Sequence, residues 1–91
     1  MENLIGRFAV SGAGHDAGTV YLVVGQEGER LLLSDGKYKT LLKPKKKNGK
    51  HVQLDAATVA EPMLSKLVKN EKIFDHEIKY AIKQYITNQK V

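Results

Sequence analysis

The sequence predicts a mainly β fold: five short strands forming a small closed barrel or sandwich, followed by two short α-helices. Three observations predict it. Up to residue 54, short apolar stretches with strand-like alternation are separated by turns rich in Gly and Asp. From Pro62 onward the apolar spacing lengthens to that of helices. The chain has 91 residues, against roughly 100–150 for a common domain, so a single domain over 1–91 is expected. No internal repeat and no flexible interdomain linker interrupts it.

The elements follow in order. Phe8 and Val10 alternate with Arg7, Ala9 and Ser11, the period of a half-buried strand. A loop cluster holding Gly12, Gly14 and Gly18 comes next. Over 20–24, Val20, Leu22 and Val24 take one face and Tyr21 and Val23 the other, so this strand is expected to be covered on both sides. Gly25 and Gly28 mark a turn, and 29–34 reads as a third strand. Asp35-Gly36 is the strongest hairpin signal in the chain, suited to a type I′ turn. A fourth strand is therefore expected over 37–42, closed by Pro44, which cannot donate to a ladder. Residues 45–50 read as loop and 51–54 as a short fifth strand. Closure into a barrel is expected because an open sheet leaves two edges prone to aggregation.

Pro62 suits the first turn of a helix in which Met63, Leu64, Leu67 and Val68 recur at helical spacing up to Asn70. Asp75 is the expected N-cap of the second helix, with Glu77 favoured in its first turn by the helix dipole. Ile78, Ala81, Ile82, Tyr85 and Ile86 form its apolar stripe, which places Tyr85 in the core. Lys79, Lys83 and Gln84 fall outside the stripe.

Charge is the most uneven feature. The net charge is +5. Lys37, Lys39, Lys43, Lys45, Lys46, Lys47 and Lys50 lie in fourteen residues without an acid, and elsewhere eight Lys/Arg face ten Asp/Glu. The whole positive excess is in one window, the footprint of a polyanion binder. A solvated lysine loop that keeps the protein soluble is the plainer alternative. His51 follows directly and is read with the basic run. The chain has no Cys, which excludes disulfides, thiol nucleophiles and cysteine-held zinc. No signal peptide or membrane-spanning run is read, so the expected compartment is the cytoplasm.

The stretch Ile5-Gly6-Arg7-Phe8-Ala9-Val10-Ser11-Gly12-Ala13-Gly14-His15-Asp16-Ala17-Gly18-Thr19-Val20 resembles a KOW motif, an alternating strand, a glycine-bearing loop and a second alternating strand. Gly14 and Gly18 match the family's paired glycines. The continuation, Ser34-Asp35-Gly36-Lys37 and then Leu42-Lys43-Pro44-Lys45-Lys46-Lys47-Asn48, is similar to a small bacterial family of KOW-domain RNA-binding proteins. That family looks like the eukaryotic and archaeal large-subunit ribosomal proteins that carry this module. The resemblance implies an SH3-like (KOW) five-stranded barrel over 4–54; the helical C-terminal extension over 61–88 is read from its apolar spacing. It also implies binding to ribosomal RNA or the assembled ribosome. Ala17 stands where many such loops carry Lys or Arg, which moves the expected contacts toward the lysine segment.

The expected RNA-binding residues are Lys37, Tyr38, Lys39, Lys43, Lys45, Lys46, Lys47, Lys50 and His51, with Gly14, His15 and Gly18 from the loop. Lysines act as point charges on phosphate and read little sequence. If about five of the seven engage RNA, the log–log slope of affinity against salt is roughly −3.5 to −4.5. Glycines let backbone N–H groups approach a phosphate. Asp16 would repel phosphate and is expected to turn inward and bond its own loop. Tyr38 and His15 are stacking candidates, although Tyr38 also reads as a half-buried strand residue. Charge reversal at Lys45, Lys46 and Lys47 is expected to abolish RNA binding while the fold persists.

Catalysis finds little support. His15, His51 and His76 have no helical partner at i, i+4 and no metal-ligand spacing, and no phosphate-binding loop motif occurs. No enzyme activity, cofactor, metal, membrane or small-molecule substrate is expected. Two other classes compete. One is a protein-interaction module using the C-terminal helices, and the other is a transcription-associated or duplex-DNA binder.

Overall fold

The computed structural model describes residues 3–12 and 14–89. The ends of the expected 1–91 domain, and Ala13 of the glycine loop, lie outside the described residues. Five strands, β1 (Arg7–Ser11), β2 (Val20–Glu27), β3 (Arg30–Ser34), β4 (Lys45–Asn48) and β5 (Val52–Thr58), form one antiparallel sheet. Their order is β4-β3-β2-β1-β5. A 3-10 turn at Gly49–His51 joins β4 to β5, and two helices follow, α1 (Met63–Val68) and α2 (Asp75–Gln89).

The sheet carries a core on each face, as the alternation in β2 requires. Tyr21 and Val23 pack with Ala9, Leu31 and Leu33 in one apolar cluster, against which Val52 and Leu54 of β5 also lie. Leu22 points the other way and joins Phe8, Val59, Leu67, Ile73, Ile78 and Ile82. The second cluster is where the helices dock. Leu22, Leu33 and Ile78 are fully buried, and truncation of such a residue to Ala costs about 2–5 kcal/mol. The expectation of a mainly β fold with five strands and two C-terminal helices is met.

Closure is not met. β4 and β5 remain the two edges of the ladder, so the fold is barrel-like without a closed sheet. The β4 edge is short and lysine-rich, which opposes pairing with a second chain by like-charge repulsion. The fourth strand also lies elsewhere than expected. Residues 37–42 are bends and irregular chain rather than strand, and 45–48, expected as loop, pair with β3. Lysine is depleted in strands and three consecutive lysines show no apolar alternation, so neither local signal marks β4. Pro44 precedes the true strand instead of closing a false one. The last strand runs through Thr58, past the expected Leu54.

The Asp35-Gly36 turn is not type I′. Gly36 has φ +74°, but Asp35 is not among the residues with positive φ, and a type I′ turn needs positive φ at both positions. Instead one carboxylate oxygen of Asp35 accepts from the backbone N–H groups of Lys37, Tyr38 and Lys39 at 2.9, 2.9 and 2.8 Å.

The helices fall near their expected places. Glu61 closes the start of α1, accepting from the Ser65 backbone N–H at 2.7 Å and from its hydroxyl at 2.6 Å. At the other end, Asn70 adopts φ +58° and the N–H groups of Asn70 and Glu71 return to the carbonyls of Leu67 and Lys66. This is a Schellman stop with Asn in place of Gly. Asp75 is the first residue of α2, and its carboxylate accepts from the Leu41 backbone N–H at 2.8 Å. Tyr85 is half-buried and stacked on Phe8 at 4.2 Å. Val68 and Ile86, expected on apolar stripes, are exposed at the helix ends.

Candidate nucleic-acid interface

The lysine segment divides into two parts with opposite surroundings. In β4, alternation sends Lys45 and Lys47 to one face and Lys46 to the other. Lys45 and Lys47 reach Asp16 of the β1–β2 loop, with Nζ–O distances of 2.8 and 3.0 Å. Asp16 also accepts from the Ser11 hydroxyl and the Tyr21 phenol, each at 2.9 Å. Lys47 Nζ donates to Ser11 Oγ at 2.6 Å. Asp16 thus turns inward as expected, and it also holds two of the lysines expected at RNA. The Lys45 ammonium, first among its partners, keeps the Asp16 carboxyl well below the usual range. Burial, reinforced by the Asp16 hydrogen bond, pushes the Tyr21 phenol up. The cluster ties β4, whose ladder partner is β3 alone, to the β1–β2 loop through side chains.

The glycine loop is internally bonded. Gly14 and Gly18 have φ +87° and +90°, a region that Gly enters without steric cost. The Gly18 N–H donates to the Ser11 carbonyl at 2.8 Å, and the Thr19 N–H donates to the Asp16 backbone carbonyl at 2.9 Å. These glycines therefore shape the turn that delivers Asp16, and the Gly18 amide is already used. His15 and His51 are exposed. The His51 carbonyl accepts from the Gly12 N–H at 3.0 Å.

The loop from Asp35 to Lys43 is the other part. Lys37, Lys39 and Lys43 are exposed, as are Lys46 and Lys50 further on. Lys46 meets Glu27 at 3.2 Å across solvent-exposed side chains, an arrangement worth little in water. Tyr38 is 77% exposed, so it is not the half-buried strand residue that the alternation suggested. The Lys37 ammonium lies 4.9 Å from its ring centroid, within cation–π range. Leu42 is 93% exposed beside Lys43.

This loop is nonetheless fixed. Asp35 gathers three successive N–H groups, and Ser34 Oγ donates to the Lys39 carbonyl at 2.7 Å. Leu41 is tethered to Asp75 and packs on the helix-side core. Gly36 lies so close to α2 that a Cβ there would meet the Asp75 carbonyl and stand 2.8 Å from the Lys79 nitrogen. The loop rests on the first turns of α2, and this contact brings Lys79 and Lys83 to the same place. A cavity of about 450 Å³ lies between the loop and the helix, lined by Lys37, Tyr38, Lys79, Ile82, Lys83 and Ile86 among others. In the sequence Lys79 and Lys83 are only polar residues outside a stripe. Their i, i+4 spacing is visible, but nothing in the sequence says which loop they face.

A second, larger groove of about 760 Å³ runs between the end of β5 and the opposite side of α2, past Phe8, Val59, Met63, Tyr80 and Tyr85. Tyr85 donates to Asp55 beside it, and this bond pushes the Tyr85 phenol up to about 12. Among the described residues, no three His, Cys, Asp or Glu side chains gather to hold a metal ion, and no helix is long and apolar enough to cross a membrane. The chain matches no protein-family model and no curated protein.

Proposed function

We propose that this chain is a non-catalytic RNA-binding protein whose contacts centre on the loop from Asp35 to Lys43. The observation that carries this reading is the fixed, exposed placement of Tyr38 between two exposed lysines. A flat ring among cations serves a base and its phosphates together. The concentration of the positive excess in 37–50 supports it. Lys46 and Lys50 extend the set, while Lys45 and Lys47 serve mainly to hold β4 to Asp16. The KOW resemblance directs the first test to ribosomal RNA and ribosomal subunits in the cytoplasm.

The test is a salt titration of binding to purified ribosomal subunits, with a DNA duplex as comparator. Steep salt dependence on one subunit and weak DNA binding are expected. Equal binding to the duplex would favour the transcription-associated alternative. No binding to RNA or to either subunit would overturn the reading. The apolar groove beside Tyr80 and Tyr85 would then favour a protein-interaction module.

A further inference from the structure

We infer that the cavity between the Asp35–Lys43 loop and α2 is a subsite for one unstacked nucleotide of single-stranded RNA. This rests on the RNA-binding reading and makes it specific. The walls differ in kind. Tyr38 offers a ring that is largely in water, and exposed Ile86, with the edge of buried Ile82 beside it, supplies an apolar surface. Lys37 lies at the ring. Lys79 and Lys83 are four residues apart, so they project from one side of α2 about 6 Å from each other.

A flat apolar surface beside two adjacent cations matches a base joined to its phosphate. A volume of about 450 Å³ falls within the roughly 300–1,000 Å³ of small-ligand sites. Asp35 is the acid at this cavity, and three backbone N–H groups already occupy one of its oxygens. Duplex RNA keeps its bases stacked and cannot place one against Tyr38, so the occupant is a single strand or an unpaired loop. The subsite spans two segments that sequence alone leaves apart, the lysine loop and the last helix. Gly36 makes this possible, because the loop reaches α2 only where no side chain intervenes.

The test uses the whole chain and a fluorescein-labelled oligouridylate about ten nucleotides long. Tyr38→Ala is expected to weaken binding between about fivefold and a hundredfold. Lys79→Gln with Lys83→Gln is expected to weaken binding and reduce the salt slope by roughly 1.4, at about 0.7 per lost phosphate contact. Tyr80→Ala, on the opposite side of α2, is expected to leave binding unchanged. The chain has no Trp, so Tyr38→Trp installs a single reporter. It should retain binding, and its fluorescence should be quenched as the oligonucleotide stacks.

Circular dichroism confirms that each variant is folded. Tighter binding of oligouridylate than of oligodeoxythymidylate assigns the occupant to RNA, and equal binding removes that assignment. Polyglutamate bound as tightly as the oligonucleotide would overturn the subsite, since a plain polyanion has no base to stack. If wild-type protein binds the oligonucleotide but Tyr38→Ala and the lysine pair bind equally well, the subsite falls and the RNA reading stands. If wild-type protein binds no RNA at all, both fall.

Discussion

Lys45 and Lys47 in β4 and Lys37 and Lys39 in the preceding loop belong to one run of basic sequence, yet they meet different surroundings. The β4 pair is drawn onto Asp16, with side chains only 30% and 12% exposed. The loop pair stands in solvent around an exposed tyrosine. Strand alternation and the placement of a single carboxylate separate the two roles. A count of positive charge therefore overstates the surface available to a polyanion, and the position of each ammonium relative to the nearest acid decides its use.

The strongest way to break this comparison is to remove the carboxylate. Asp16→Ala leaves Lys45 and Lys47 without their shared partner and the Tyr21 phenol without its acceptor. A loss of about 2–4 kcal/mol is expected by urea unfolding. Lys46→Ala, one residue along the same strand, should cost less than about 0.5 kcal/mol. Charge reversal at Lys45 and Lys47 would set three acids together, so it is expected to lower stability as well as binding. Equal effects at positions 45 and 46 would remove the distinction between the two faces of β4.

The loop has its own sensitive point. Gly36→Ala is expected to cost about 1–3 kcal/mol and to weaken RNA binding, because the new Cβ meets the backbone of α2 at a left-handed φ. Gly18→Ala carries only the backbone penalty of roughly 1 kcal/mol, since nothing lies within 4 Å of its Cβ position. Unfolding midpoints of the two variants compare them directly.

The fold was largely legible where side-chain chemistry and local pattern agree. Phe8, Leu22 and Val23 show alternation, and Ile78 and Ile82 show helical spacing; all five are buried. Legibility failed at 35–48. Asp35-Gly36 carries a hairpin signal that the Asp35 carboxylate and the contact with α2 override. The three lysines of β4 offer no apolar pattern, and β3 alone gives them a register. Of the candidate site, Lys37, Tyr38 and Lys39 are legible as an aromatic interleaved with cations. Lys79 and Lys83 are not, because their juxtaposition with the loop depends on tertiary packing.

Acid should sharpen the contrast by a smaller amount. The Asp16 pKa is lowered on folding, so its contribution is present above the unfolded value of about 3.9 and lost as pH falls below it. Stability of the wild type should therefore decline more steeply below pH ~4 than that of Asp16→Asn. Tyr85 shows the reverse sign. With its folded pKa pushed up to about 12, its contribution is present below the unfolded value of about 10 and lost as pH rises toward the folded one. Tyr85→Phe should give the smallest change, a slightly lower urea midpoint and less loss of stability in alkali. The Phe8 stack would remain.

The measurement that reaches the central claim most directly is the salt dependence of ribosomal RNA binding for wild type and for Lys37, Lys39 and Lys43 together changed to Gln. These side chains are exposed, so the unfolding midpoint should not move. The log–log slope should become shallower by about 2–3 and the affinity should fall at every salt concentration. An unchanged slope and affinity in the folded variant would contradict the account and leave the exposed lysines as a solubilising surface.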